Sequence, residues 1–158
     1  MIKRIQIANF RSIKKLNIEP RNLCALVGPN SVGKTNVIKA IDLVLGEGWA
    51  TKNKVAKELF HDVTKKLGIK IDFDSPIKWD YYGNTKSINS VTLKMEYVPE
   101  FKCEVRLWED YPNDNQSKGY YINDEFKKVC HFIYIPSNRD LADQMRVGSW
   151  TLLGKLMK

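Results

Sequence analysis

The sequence predicts an α/β fold built around a phosphate-binding loop, and three consecutive observations predict it. Leu23-Cys24-Ala25-Leu26-Val27 is an unbroken apolar run, the pattern of a strand buried on both faces. Gly28-Pro29-Asn30-Ser31-Val32-Gly33-Lys34-Thr35 follows directly and completes the spacing G-x-x-x-x-G-K-[ST]. Val37, Ile38, Ile41, Val44 and Leu45 then recur at helical spacing until Gly46 supplies a stop. Strand, loop and helix come in the order that aims a helix N-terminus at the loop.

That order answers one chemical problem, holding the phosphates of a nucleotide on backbone amides. The glycines present no Cβ, so the backbone curls closely around oxygen atoms. Lys34 is expected to reach the β- and γ-phosphates, and the Thr35 hydroxyl to ligate Mg²⁺. The expected nucleotide-binding set is Gly28, Pro29, Asn30, Ser31, Val32, Gly33, Lys34, Thr35 and the adjoining Asn36.

The remaining elements follow in chain order. Ile5 and Ile7 alternate with Arg4 and Gln6, Asn9-Phe10-Arg11-Ser12 interrupts, and Ile13 to Ile18 resumes, which predicts a hairpin of two short strands. Pro20-Arg21-Asn22 is a turn leading into the apolar run. Residues 47–67 carry a weak, lysine-rich helical pattern that Gly68 is expected to end. Ile69, Ile71 and Phe73 predict a half-exposed strand, and residues 75–90, with Pro76, Gly83 and Asn84, predict a loop. Val91 to Tyr97 and Cys103 to Leu107 alternate as two further strands. Residues 112–119 are turn-rich, and Tyr120-Tyr121-Ile122 predicts a short strand. His131 to Ile135 predicts a buried strand closed by Pro136. Leu152, Leu153, Leu156 and Met157 share one helical face at the end.

At 158 residues the chain is one domain's worth, and 43% hydrophobic with 28% charged residues is ordinary for a globular protein. The formal net charge of +8 is read either as a polyanion-binding surface or as a solvated lysine-rich one. Cys24, Cys103 and Cys130 are too scattered for a disulfide framework or a metal site, and Cys24 is expected to fill the buried strand. The first residues lack an apolar signal region and no run reaches membrane-spanning length, so a soluble, cytoplasmic protein without membrane partners is expected.

Ile5-Gln6-Ile7-Ala8-Asn9-Phe10-Arg11-Ser12-Ile13 followed by the GPNSVGKTN loop resembles the opening of ABC-type ATPases of the RecF and SMC class. Leu43 to Trp49, Ile133-Tyr134-Ile135-Pro136-Ser137-Asn138-Arg139-Asp140-Leu141 and Gly148 to Leu156 extend the likeness to the OLD (overcoming lysogenization defect) family of ATP-dependent endonucleases. The resemblance implies the N-terminal lobe of a P-loop ATPase over residues 1–158, with an antiparallel strand meander. It further implies ATP and Mg²⁺ as cofactors, Lys34 as the catalytic cation, DNA as partner of the parent protein, and a homodimer. Arg11 and Ser12 would lie near adenine and ribose; an arginine stacks on a base plane, while a simple hairpin corner with Phe10 packed inward is the alternative. Gln144 would bridge Mg²⁺ and the attacking water, or else be an exposed helix glutamine.

The chain departs from that class in three ways. No apolar strand ends in Asp-Glu, no Ser-Gly-Gly-Gln signature is present, and no Toprim carboxylate set follows. Asp72-Phe73-Asp74 has the spacing of a metal pair but is read as an exposed strand edge, and His61 and His131 receive no catalytic role. The last helix stops at Met157-Lys158 without a cap signal, so a C-terminal cut is expected. The functional expectation is therefore an ATP-binding lobe of a DNA-processing ATPase. A short non-hydrolysing nucleotide sensor is the alternative, and a small-molecule kinase is disfavoured by the strand meander.

Overall fold

A computed structural model describes residues 1–30, 32–46, 48, 56–97 and 122–134, and the backbone of 104–109. Five antiparallel strands form one sheet: β1 (Ile2–Phe10), β2 (Ile13–Ile18), β3 (Leu67–Tyr81), β4 (Asn84–Glu96) and β5 (Glu104–Glu109), in the order β2-β1-β3-β4-β5. Helix α1 (Lys34–Leu45) packs on β1, β3 and β4, and the short helix α2 (Asp124–Val129) packs on β3. Among the described residues no helix is long and apolar enough to cross a membrane.

Period-two alternation decides which face is covered. Ile5 and Ile7 on β1, Ile69 and Ile71 on β3, and Val91, Leu93 and Met95 on β4 are buried, 2% exposed or less. Their registers, Ile7↔Ile69↔Leu93 and Ile5↔Ile71↔Val91, stack them into rows across the sheet. Onto these rows α1 lays Val37, Ala40, Ile41 and Val44, spaced three and four apart as a helix face requires. Fully burying side chains of this size contributes about 1.5–3 kcal/mol each. Helix α1 stops at Gly46, as its sequence predicts, although Gly46 is not left-handed (φ −63°); a Cβ there would collide with the Asp42 carbonyl. Lys127 of α2 then donates to the carbonyls of Gly46 and Gly48 at 2.5 and 2.9 Å, tying the two helices together.

Several expectations are corrected. Residues 75–90 are not a loop: β3 continues to Tyr81 and β4 begins at Asn84. Tyr82 (φ 51°) and Gly83 (φ 80°) form the two-residue turn, whose left-handed pair matches strand twist. Trp79 and Ile88, both buried, hold this extension, with Trp79 edge-on to Phe126 of α2 at 5.4 Å between ring centroids. The weak helical pattern over 47–67 yields, in its described part, only one 3-10 turn at Lys57–Leu59, and Gly68 lies inside β3.

The apolar run 23–27 is not a buried strand either. Leu23 is 93% exposed and Val27 90%, and Cys24 is exposed rather than a core filler. A strand covered on both faces needs hydrogen-bonding neighbours, and no described strand pairs with it. His131 to Tyr134 likewise carry no strand, with Ile133 38% and Tyr134 37% exposed, and Ile122 precedes α2 without one. The expectations for Tyr120, Tyr121, Cys103, Gln144 and the terminal helix fall outside the described residues.

Candidate functional site at the phosphate loop

Gly33 sits at the N-cap of α1 with φ 102°, a left-handed conformation that glycine adopts without a steric penalty. The amides of Asn36 and Val37 close back onto its carbonyl at 2.9 and 3.2 Å, which starts the helix abruptly at the loop. No side chain caps this end and its first turn contains no acidic residue, so the positive end of the helix dipole is left uncompensated. A cavity of about 240 Å³ opens there, lined by Asn30, Gly33, Lys34, Thr35 and Asn36. The Lys34 ammonium lies across the loop, donating to the carbonyls of Gly28 and Pro29 at 2.6 Å each. Amide donors, an ammonium and a hydroxyl around one small cavity favour an anion with several oxygens.

The β1–β2 corner is fastened to this loop. Asn36 donates to Ser12 Oγ at 2.9 Å, and a Cβ on Gly33 would stand only 2.8 Å from that oxygen. Gly33 is therefore fixed twice, by its left-handed φ and by the hydroxyl packed against it. Arg11 is also left-handed (φ 49°), uncommon for a long side chain. Its guanidinium carbon lies 5.7 Å from the centroid of the Phe10 ring, while Phe10 itself is 1% exposed. Phe10 thus packs inward, as the hairpin-corner alternative expects, and Arg11 stands over its ring. Arg11 Nε is buried with no hydrogen-bond partner among the described residues.

Sequence reasoning missed what holds the corner. Asn9, buried and left-handed at φ 58°, donates through its amide nitrogen to the carbonyls of Asp62 (2.9 Å) and Lys65 (2.7 Å). Its amide oxygen accepts the Asp62 N–H at 2.7 Å, so three of the side chain's hydrogen-bonding positions are used. Arg11 N–H donates to the Leu59 carbonyl at 2.9 Å, and His61 Nδ1 lies 3.0 Å from the Arg11 carbonyl, which makes that nitrogen the donor. Phe10 bridges to Phe60. Asp62 caps its own turn: hydrogen bonds from the Thr64 side chain and amide, then the nearby Lys65, lower its carboxyl to about 2. The one sequence signal available was Asp62-x-Thr64, a turn pattern.

Gln144 and Ser31 lie outside the described residues. The Asp72/Asp74 pair is not on an edge, because β3 is the middle strand of the sheet. Asp72 accepts from Arg4 Nε at 2.7 Å and lies 3.8 Å from Lys70, and the Asp74 amide donates to the Met1 carbonyl. Among the described residues no group of three His, Cys, Asp or Glu side chains is placed to hold a metal.

A family model described as an AAA ATPase domain matches residues 1–153. The chain is similar to an OLD nuclease of Thermus scotoductus, 26% identical over 167 residues, covering all of this chain and 30% of that protein. It is also similar to the chromosome partition protein Smc of Methanocaldococcus jannaschii, 38% identical over 73 residues, 46% of this chain and 6% of that one. The chain thus spans less than a third of either relative's length. The resemblance drawn from Asn9-Phe10-Arg11-Ser12 and the glycine loop stands on these matches, and the chain belongs to the AAA ATPase domain family.

Proposed function

We propose that this chain is the ATP-binding lobe of an OLD-like, ATP-dependent DNA endonuclease or DNA-processing ATPase of the RecF/SMC type, working in the cytoplasm. The observation that carries the reading is the uncapped start of α1, where Gly33, Lys34, Thr35 and Asn36 line one small cavity. Backbone amides of the loop, other than Pro29, which has no N–H, would cradle the phosphates, and Lys34 would leave its carbonyl partners to neutralise the β- and γ-oxygens. Arg11 and Ser12 would face the nucleoside, with Asn36 holding Ser12 in place. Mg²⁺ keeps several waters and takes phosphate oxygens, so one protein hydroxyl, that of Thr35, is a sufficient donor from this lobe. When bound, the ion supplies charge neutralisation on those oxygens.

Hydrolysis also needs a group that orients water. In this reading the parent protein provides it, and a second copy closes the far side of the nucleotide. A competing reading, a nucleotide sensor that does not hydrolyse, fits a sequence in which no apolar strand ends in Asp-Glu. Phosphate release by the full-length parent protein at saturating ATP separates them: steady turnover excludes the sensor.

The binding claim is tested by calorimetric titration of ATP into the wild type and Lys34→Ala. Losing charge-assisted phosphate contacts is expected to weaken ATP by about 1.5–3 kcal/mol, roughly ten- to a hundredfold. Equal affinity for both proteins would sink the assignment.

A further inference from the structure

The sheet face opposite α1 offers a second site. Its residues alternate with the core ones, and the registers align them in rows: Lys15↔Ala8↔Gly68↔Lys94, and beside it Asn17↔Gln6↔Lys70↔Thr92. The first row continues in register to Arg106 on β5. A shallow trough of about 410 Å³ runs over this face. Its floor is low because Ala8 and Gly68 are small; a Cβ on Gly68 would meet nothing within 4 Å. Lys15 and Lys94 stand at opposite sides, both exposed, with Lys70 between them. Adjacent strands lie about 4.8 Å apart, so the three steps from Lys15 to Lys94 span roughly 14 Å.

Cations outnumber carboxylates on this face: Arg4, Lys15, Lys70 and Lys94 stand against Asp72 and Glu96, and the register adds one of each from β5, Arg106 and Glu104. Asp72 is held by Arg4 and Lys70, and Glu96, at one end, is held by Lys66 at 3.1 Å. On β1 to β4 none of the large apolar side chains exposed among the described residues lies on the face, and on β5 the register sets Trp108 beside Thr92 at its margin. A polar, small-residue floor between lysines matches a ligand that presents regularly spaced phosphates and asks for no base readout.

We propose that this trough binds the phosphate backbone of duplex DNA, with Lys15 and Lys94 as the contacting cations and Gly68 keeping the floor open. The choice of DNA among polyanions rests on the proposed function; the surface itself does not use the phosphate loop. The binding is sequence-independent and salt-sensitive.

The test is fluorescence anisotropy of a labelled duplex with the full chain across a series of salt concentrations. Each lost phosphate contact lowers the slope of log affinity against log salt by about 0.9, so Lys15→Gln/Lys94→Gln is expected to lower it by about 1.8. At about 50 mM salt, measured from the reference of about 1 M at which the counterion effect vanishes, this corresponds to roughly two-hundredfold weaker binding. Gly68→Glu, which places a carboxylate in open space over the floor, is expected to weaken DNA as well. Lys39→Gln, an exposed lysine of α1 on the other side of the sheet, is expected to change neither slope nor affinity. An unchanged slope in the double variant overturns the proposal, as does an equal loss in Lys39→Gln, which would make the attraction general. Tighter binding to anionic vesicles than to DNA at matched salt overturns it too. ATP titrations of the same proteins keep the two claims apart. A chain that ignores ATP but loses DNA affinity in the double variant supports the trough and overturns only the nucleotide reading.

Discussion

The antiparallel sheet and the phosphate-loop segment are neighbours in sequence but opposites in how they are held. In the sheet, β3 is bonded to β1 on one edge and β4 on the other, and its apolar face is covered by α1 and α2. In the segment from Arg21 to Asn30, every residue is exposed, including the apolar run that precedes the loop. The difference teaches that apolar sequence states a preference, whereas hydrogen-bonding neighbours decide whether it is met. Antiparallel strands find those neighbours through short turns, as β1–β2 and β3–β4 do. A strand of parallel character depends on partners brought from far along a chain.

The comparison is broken most severely from inside the sheet. Leu93→Ala, at a fully buried central position, is expected to cost about 2–5 kcal/mol in chemical denaturation, through lost burial plus the cavity left behind. A loss below about 1 kcal/mol would mean that the rows under α1 are not a packed core. Between the two regions lies Asn9, whose removal tests the join. Asn9→Ala leaves the Asp62 amide and two carbonyls without their partner and is expected to cost about 1–3 kcal/mol. It should also weaken ATP more than inorganic tripolyphosphate, because the corner carrying Arg11 loosens while the glycine loop remains; equal weakening of both would leave Asn9 a purely structural residue. The smallest effect is expected in the segment itself. Val27→Ser, at a side chain 90% exposed, should move stability by no more than about 0.5 kcal/mol, and a larger drop in thermal denaturation would show that the run is packed in solution.

How much was legible in the sequence follows the same division. Ile5/Ile7, Ile69/Ile71 and Val91/Leu93/Met95 revealed their strands because one face is buried and the other wet, which writes a period of two. The start and stop of α1 were equally plain, since Gly33 and Gly46 each answer a steric demand. Residues 75–90 misled because Pro76, Gly83 and Asn84 signal turns, while Trp79 meets its covering residue, Phe126, only in the folded chain. The glycine loop, with Lys34 and Thr35, was legible as a motif because its chemistry is local. The Asn9 clamp was not, for it joins positions more than fifty residues apart and any asparagine in a strand corner looks alike. Cys24 was misplaced for the reason given above: its strand lacks a described partner.

The pairing of β1 with β3 also sets an order of events. These two strands lie side by side, yet the chain between Phe10 and Leu67 carries β2, the glycine loop and α1 before returning. The β3–β4 hairpin needs only the turn at Tyr82-Gly83 and can form in about 1–10 μs. Joining β1 to it requires closing the long excursion, a contact of high sequence separation that slows folding. Because closure entropy grows only with the logarithm of length, the cost of that step depends little on how many residues the excursion contains. The segment that carries the glycine loop is therefore, in kinetic terms, a passenger: the sheet governs when the chain folds, and the excursion is free to vary in length without resetting that clock.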